Sequence, residues 1–221
     1  MTLLPADDTP QYAYETDPAA IYRQSFSIVR QEADLSHLPK ALHPTAIRLI
    51  HSCGMTDLPQ DLAWSDDVLE AAQAAFAKEA PVFCDVEMVA HGIIKNRLPE
   101  GSEVICTLND PSVRGLASEL KTTRSAAAVE LWRDRLDGAM IAIGNAPTAL
   151  FHLLEMIAAG GPKPAVILGF PVGFVGAAES KDALTSNPFG VPYLAVKGRR
   201  GGSAMAAAAV NALAAGLPEE G

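Results

Sequence analysis

Apolar residues in the first third of the chain recur every three or four positions, a spacing typical of amphipathic helices. We predict three helices here, over residues 16–33, 40–53 and 66–78. The first should bury a face formed by Ile21, Phe26, Ile28 and Val29. Gly54 is expected to end the second helix. The expected N-terminal caps are Thr16 or Asp17 for the first helix and Ser65 for the third.

From about residue 80 the pattern changes to short apolar runs bounded by turn residues, as in strands that are buried on both faces. Five such runs are PVFCDV, EVICTL, AMIAIG, AVILGF and PYLAVKG. Helical patterns lie between and after them, over 86–94, 112–120, 123–135, 146–159, 177–184 and 203–215. This alternation predicts one α/β domain over residues 16–217, with a mostly parallel central sheet, helices on both faces and a helical N-terminal part. Residues 1–15 are interpreted as a flexible lead-in.

Composition narrows the classes of function. With 49% apolar residues the chain can bury a large core, and its formal net charge of −9 argues against a generic nucleic-acid binder. We find no apolar run long enough to cross a membrane and no signal-peptide pattern at the N-terminus. The three cysteines are scattered and lack metal-ligand spacing, so we expect reduced thiols and a cytoplasmic location.

Turn residues follow each predicted strand, and ligands of open α/β sheets bind beyond the carboxyl ends of the strands. Three of these turns lead into a predicted helix, whose N-terminus favours anions. They are Asn109-Asp110-Pro111, Asn145-Ala146-Pro147 and the glycine-rich segment after Phe170. Together, the three strand ends predict a binding site for a ligand that carries a carboxylate or phosphate group. The spacing of the glycines does not match a dinucleotide-binding fingerprint, and KGRRGGS lacks the full phosphate-binding motif, so a nucleotide site has weak support. The alternative interpretation of KGRRGGS is a solvated turn.

His51 lies among apolar residues in the last turn of the second predicted helix. The helix dipole favours its imidazolium form and burial opposes it, a balance that suits a proton donor. A core histidine with a satisfied hydrogen bond is the alternative. No nucleophile motif accompanies His51. The carboxylate pairs Asp85/Glu87 and Glu179/Asp182 are further acid–base candidates, although such groups are also ordinary caps and ion-pair partners.

The sequence resembles the precorrin-8X methylmutase family, also called precorrin isomerases, from about Ala20 to Ala214. The stretches that carry the resemblance are IYRQSFSIVRQEADL, LIHSCGM, PVFCDVEMVAHGI, EVICTLNDP, TRSAAAVELW, AIGNAPTALFHLLEM, GFPVGFVGAAESKDAL and GRRGGSAMAAAAVNAL. The resemblance implies an isomerase of cobalamin biosynthesis that moves a methyl group from C-11 to C-12 of a tetrapyrrole macrocycle and gives hydrogenobyrinic acid. It implies no cofactor and no metal ligand, and a homodimer whose sites include residues of both subunits.

The resemblance also implies roles for individual residues. His51, in the His-x-Cys-Gly motif, matches the family's catalytic histidine, and Ser25 matches a serine that contacts substrate. Arg124 is a plausible anchor for the substrate's carboxylate arms, and Asn145 lies in a strand-end turn that would face it. The other basic candidates, each as readily a solvated surface residue, are Lys95, Arg97, Lys181, Arg199 and Arg200. A non-catalytic tetrapyrrole carrier and a nucleotide-dependent α/β enzyme are the alternatives, and the choice between metal-free and cobalt-bearing substrate stays open.

Overall fold

The computed structural model describes residues 12–186, 188–215 and Leu217, so residues 1–11 of the predicted lead-in lie outside the described part. The described residues form one sheet of six strands and nine α-helices. The strands are β1 (Leu62–Trp64), β2 (Val82–Cys84), β3 (Val104–Cys106), β4 (Met140–Ile143), β5 (Val166–Gly169) and β6 (Tyr193–Val196). The helices are α1 (Pro18–Glu32), α2 (His43–Cys53), α3 (Val68–Ala77), α4 (Glu87–Gly92), α5 (Val113–Glu119), α6 (Arg124–Glu130), α7 (Pro147–Ala158), α8 (Ala177–Thr185) and α9 (Ser203–Ala215).

The sheet has the strand order β1-β6-β5-β4-β2-β3, and all neighbours pair in parallel except β1 and β6. The prediction of a mostly parallel sheet with helices on both faces is therefore confirmed. The antiparallel edge strand β1 was not predicted. Its three residues are too few to show an alternation of apolar and polar positions.

Alternate residues of the strands point to opposite helical layers. In β4, Met140 and Ala142 belong to the core that includes α2, α3, α4 and α9, whereas Ile141 and Ile143 belong to the core that includes α7. All four are fully buried. Burial on both faces explains why the central strands read as continuous apolar runs.

Three helices are stacked outward from one face of the sheet: α9 contacts β4 and β5, α2 packs on α9, and α1 packs on α2. Small residues permit the close approach of α9. A Cβ on Gly144, after β4, would lie 2.8 Å from the Cα of Ser203. The predicted N-terminal helices are thus an outer layer over α9, and they bring α1 and α2 together.

The predicted helix boundaries are largely confirmed. The Asp17 side chain caps α1 by accepting from the Ala19 N–H at 3.0 Å, and Gly54 ends α2 with φ of 71°. Ser65 does not cap α3; its hydroxyl accepts a hydrogen bond from the Tyr193 N–H instead and so holds the edge of the sheet. The prediction for the apolar face of α1 was half wrong, because Ile21 and Ile28 are 46% and 42% exposed.

Cys53, Cys84 and Cys106 are all free thiols, as predicted. Burial raises the pKa of each thiol, that of Cys106 to about 11, so these side chains behave as apolar core residues. The cytoplasmic location inferred from them stays a prediction. Within the described part of the chain, no helix combines the length and the apolar character needed to cross a bilayer.

Candidate active site

The structure brings His51 and Ser25 together across the contact of α1 with α2. The Ser25 hydroxyl lies 2.8 Å from Nδ1 of His51. Both side chains are half-buried. The two residues are 26 positions apart, and only the packing of the N-terminal helices makes them neighbours.

Aromatic side chains of α1 hold the His51 ring. The ring centroid lies 4.8 Å from that of Phe26 and 5.4 Å from that of Tyr22. With Ser25 on Nδ1, the orientation of the ring is fixed. Among the residues that the structure describes, Nε2 has no hydrogen-bond partner. The free nitrogen is therefore available to a ligand.

A cleft opens beside the ring between the two helices. Ser25, Ile28 and Glu32 line it from α1, and Ile50, His51 and Thr56 line it from α2 and the segment that follows. Carbon atoms form most of the surface of the cleft, and Ser25, Glu32, His51 and Thr56 add polar groups to it.

The electrostatic surroundings favour the neutral imidazole. Burial lowers the pKa of His51 below its ordinary value of 6.5, and the positive charge of Arg48, one turn earlier in α2, lowers it further. The helix dipole alone would raise this pKa. A proton on His51 is therefore held less tightly than on a solvated histidine and is more readily transferred to an acceptor.

Arg124 lies away from this pair, at the start of α6, whose Val129 belongs to the core on the opposite face of the sheet. Its Nη2 donates to the Leu108 carbonyl at 3.0 Å and to Oδ1 of Asn109 at 3.2 Å. The side chain is exposed. It therefore joins the turn after β3, one of the strand-end turns for which an anion role was predicted.

Asp85 organises the neighbouring strand end. Its buried carboxylate accepts hydrogen bonds from the backbone N–H groups of Gly144, Asn145 and Ala146 at 2.9, 2.9 and 2.7 Å. Burial raises the pKa of Asp85, and the three donors oppose that effect. The exposed side chain of Asn145 is thus presented on a turn that is fixed from below.

Lys181 differs from the other basic candidates because it is fully buried. Its Nζ donates to the carbonyls of Pro171 at 3.0 Å and Arg200 at 2.6 Å, and burial lowers its pKa to about 8. Lys181 therefore ties two loops together. Arg200 forms ion pairs with Asp57 and Asp61, so the KGRRGGS segment is a turn held by protein contacts.

Of the remaining candidates, Lys95 and Arg199 are exposed and Arg97 is half-buried. Sequence reasoning missed Arg48, which lies in the helix of His51 and is only 4% exposed. The signal that could have found it is a charged residue within the apolar stripe of that helix. Over residues 12–186, 188–215 and 217, no group of three or more His, Cys, Asp or Glu side chains is placed to hold a metal ion.

Comparison with known proteins adds to this geometry. A sequence model of the family described as precorrin-8X methylmutase matches residues 20–215. The chain is 57% identical over 205 residues to the precorrin-8X methylmutase of a Sinorhizobium species, covering 93% of this chain and 98% of that protein. It is 59% identical over 201 residues to the precorrin-8X methylmutase of Pseudomonas aeruginosa, covering 91% and 97%.

A solved structure is also similar. The precorrin-8X methyl mutase of Thermus thermophilus superposes with a TM-score of 0.78 at 38% identity, covering 88% of this chain and 95% of that one. Curated relatives named cobalt-precorrin-8 methylmutase are 32% to 39% identical to this chain.

Proposed function

This chain belongs to the precorrin-8X methylmutase family, and on that premise we propose that His51 donates the proton that promotes methyl migration on the tetrapyrrole. The enzyme is an isomerase of cobalamin biosynthesis that moves a methyl group from C-11 to C-12 and gives hydrogenobyrinic acid. The observation that carries the role of His51 is its free Nε2 beside a cleft between α1 and α2, with Nδ1 held by Ser25 at 2.8 Å.

The Ser25 hydroxyl suits both protonation states of the ring. It can accept from Nδ1–H when His51 is an imidazolium and also after Nε2 has given up its proton, because the neutral ring then keeps its hydrogen on Nδ1. The ring therefore keeps one orientation throughout the proton transfer. The direct partner of Ser25 is His51, so we assign Ser25 to positioning the ring at the substrate.

Proton balance sets a further requirement. The product is an isomer of the substrate, so a proton that is added to the macrocycle must be matched by one that leaves it. A weakly basic His51 can give a proton to the macrocycle and afterwards accept one from it. This cycle needs no external nucleophile, consistent with a site that is built around a single imidazole.

Conversion of precorrin-8X by the purified protein tests the function. We expect the absorbance spectrum to change to that of hydrogenobyrinic acid while the molecular mass stays the same, because the reaction only rearranges bonds. A product of different mass would contradict an isomerase. We infer the metal-free substrate, since identity to relatives named for precorrin-8X is 57% and 59%, against at most 39% for those named for the cobalt form.

Arg124 is proposed to anchor a carboxylate arm of the substrate. Replacing Arg124 by alanine is expected to weaken binding of hydrogenobyrinic acid about tenfold, because one hydrogen-bonded ion pair is lost. Stability should change little, since the side chain is exposed. Absorbance titration measures the dissociation constant, and chemical denaturation measures the free energy of unfolding.

Arg114 is the matched control, because it is an arginine of the same strand-end region with no ion pair to another described residue. The Arg114→Ala variant should bind product as the unmodified protein does. An unchanged dissociation constant in Arg124→Ala would remove Arg124 from the site.

A homodimer with shared sites is also proposed. The helices of Ser25 and His51 pack on one side of the sheet and the helix of Arg124 on the other, so a second subunit is a natural source of further contacts. Large apolar side chains are uncovered on α1 and in the loop before α8: Ile21, Ile28, Phe174 and Val175. Burial of these side chains by a second copy would remove large apolar groups from water. Sedimentation equilibrium should give twice the mass of the chain, and a monomer at all concentrations would contradict it.

The two alternatives from the sequence fare differently. A nucleotide-dependent enzyme has no support, because similar proteins are named methylmutases and Arg200 of the KGRRGGS turn is paired with Asp57 and Asp61. A carrier role is compatible with catalysis if product is held tightly, and it is not needed to explain the site.

A further inference from the structure

Two guanidinium groups close to the candidate site have unused hydrogen-bond donors. Arg48 is 4% exposed, and its Nε and Nη2 are buried without a partner among the described residues. The same is true of Nη1 of Arg97, which lies in the single turn of 3₁₀ helix after α4. Buried donors are rarely left unpaired, because each has lost its hydrogen bond to water without gaining another.

The two groups also repel each other. Burial lowers the pKa of Arg48, and the charge of Arg97 lowers it further. Within the part of the chain that the structure describes, neither has a carboxylate within ion-pair distance. The contacts that favour the charged form of Arg48 are with Tyr22 and with the ring of Phe26, whose centroid lies 5.9 Å from Cζ of Arg48. A buried guanidinium beside a half-buried one, with no carboxylate to pair with either, favours the binding of an anion.

The position of Arg48 connects it to the reacting group. Arg48 and His51 are three residues apart in α2 and therefore share a face of the helix. They also share Phe26 as a neighbour. The centroid of the Phe26 ring lies 4.8 Å from that of the His51 ring and 5.9 Å from Cζ of Arg48. A ligand that reaches His51 thus comes close to Arg48. Arg97 is half-buried as a residue, whereas its Nη1 and the two Arg48 donors are buried, so a carboxylate reaches them only when neighbouring side chains move.

We propose that Arg48 and Arg97 together bind one carboxylate arm of the tetrapyrrole while its macrocycle lies against His51. The inference rests on the proposed function, since it takes the substrate class from there. A guanidinium offers a planar fork that matches a carboxylate, and two such groups can enclose both carboxylate oxygens. The two arginines fix where the macrocycle lies relative to Nε2 of His51, and Arg48 is thereby a substrate-anchoring residue.

The experiment compares binding of hydrogenobyrinic acid with binding of its methyl ester, in which the carboxylates are neutral. Replacing Arg48 by methionine, which keeps the length of the side chain, should weaken binding of the acid about 10- to 100-fold. Binding of the ester should change by less than about twofold, because an ester cannot form the charge-assisted bonds. The melting temperature without ligand should stay the same or rise, because an unpaired buried charge is removed.

Arg135→Met is the matched control, because Arg135 is exposed, forms an ion pair with Glu103 and lies away from α2. It should leave both affinities unchanged. Equal losses for acid and ester in Arg48→Met, or no loss at all in a folded protein, would overturn the proposal. A lower melting temperature without ligand, or weaker dimerisation with normal binding of the acid, would also overturn it, since Arg48 would then have a protein partner. If Arg48→Met does not fold, Arg97→Met decides by the same acid–ester comparison.

These results are independent of the role of His51, because equilibrium binding of product needs no turnover. Normal turnover in a His51 variant would contradict the proposed proton donor without affecting the proposal of an anion site. Unchanged binding of the acid in both arginine variants would contradict the anion site without affecting the proposed role of His51.

Discussion

Replacing His51 by alanine is expected to lower kcat by about two to four orders of magnitude, the usual contribution of a positioned acid–base group. Product affinity should stay within about tenfold, because most of the contacts of a large ring come from the rest of the site. The ring of His51 is only half-buried, so the fold should survive its removal. Single-turnover conversion of precorrin-8X, followed by absorbance, measures the chemical step directly.

His91→Ala is the control for the loss of a histidine, since His91 is exposed and its Nδ1 bonds only within its own helix, to the Glu87 carbonyl. It should turn over at the unmodified rate. Ser25→Ala should give an intermediate loss of about tenfold, because the ring keeps its chemistry and loses its orienting bond. Turnover near the unmodified rate in His51→Ala would exclude His51 from the reaction.

The pH dependence follows from the same surroundings. Burial and the charge of Arg48 hold the pKa of His51 below 6.5, and a general acid must carry its proton. As pH rises through that lowered pKa, the protonated fraction of the free enzyme falls, so kcat/KM should fall with an inflection below pH 6.5. Tyr22 and Glu32 are the other titratable groups beside the ring or its cleft. The inflection should disappear in His51→Ala.

Local signals in the sequence were sufficient for most of the fold. Apolar runs predicted all five parallel strands because burial on both faces leaves no polar alternation. Asp17 and Gly54 marked helix ends because capping depends on the residue at the end itself. Ile21 shows the limit of this reasoning. The sequence shows that a helix has an apolar face, but it does not show which residues of that face pack against a neighbouring element, and Ile21 stays exposed.

The partners of charged residues could not be predicted in this way. Lys181, Arg124 and Arg200 look alike in the sequence as basic residues near strand ends. Lys181 is buried and donates to two carbonyls, whereas Arg124 joins an exposed turn. Arg200 forms ion pairs with Asp57 and Asp61. Each role depends on residues that are distant in the sequence. The resemblance to a known family pointed to His51 and Ser25, and the structure supplied the contact between them.

Replacing Asp85 by alanine is expected to destabilise the protein by about 3 kcal/mol or more. The carboxylate is 2% exposed and accepts three backbone N–H bonds, all from the turn that joins β4 to α7. Without it, these donors are left in a buried space, and each unpaired donor costs about 1–3 kcal/mol. The midpoint of urea denaturation, with an unchanged slope, measures the loss.

Asp110→Ala is the matched control, because Asp110 also accepts from the turn before a helix, through the Ser112 N–H and hydroxyl, but is exposed to water that can replace it. Its loss of stability should be much smaller. A small loss in Asp85→Ala as well would mean that water enters the turn and takes over the three donors. If the large loss is found, Asn145 owes its position to a carboxylate 60 residues earlier in the chain, and this strand end is rigid before any substrate arrives.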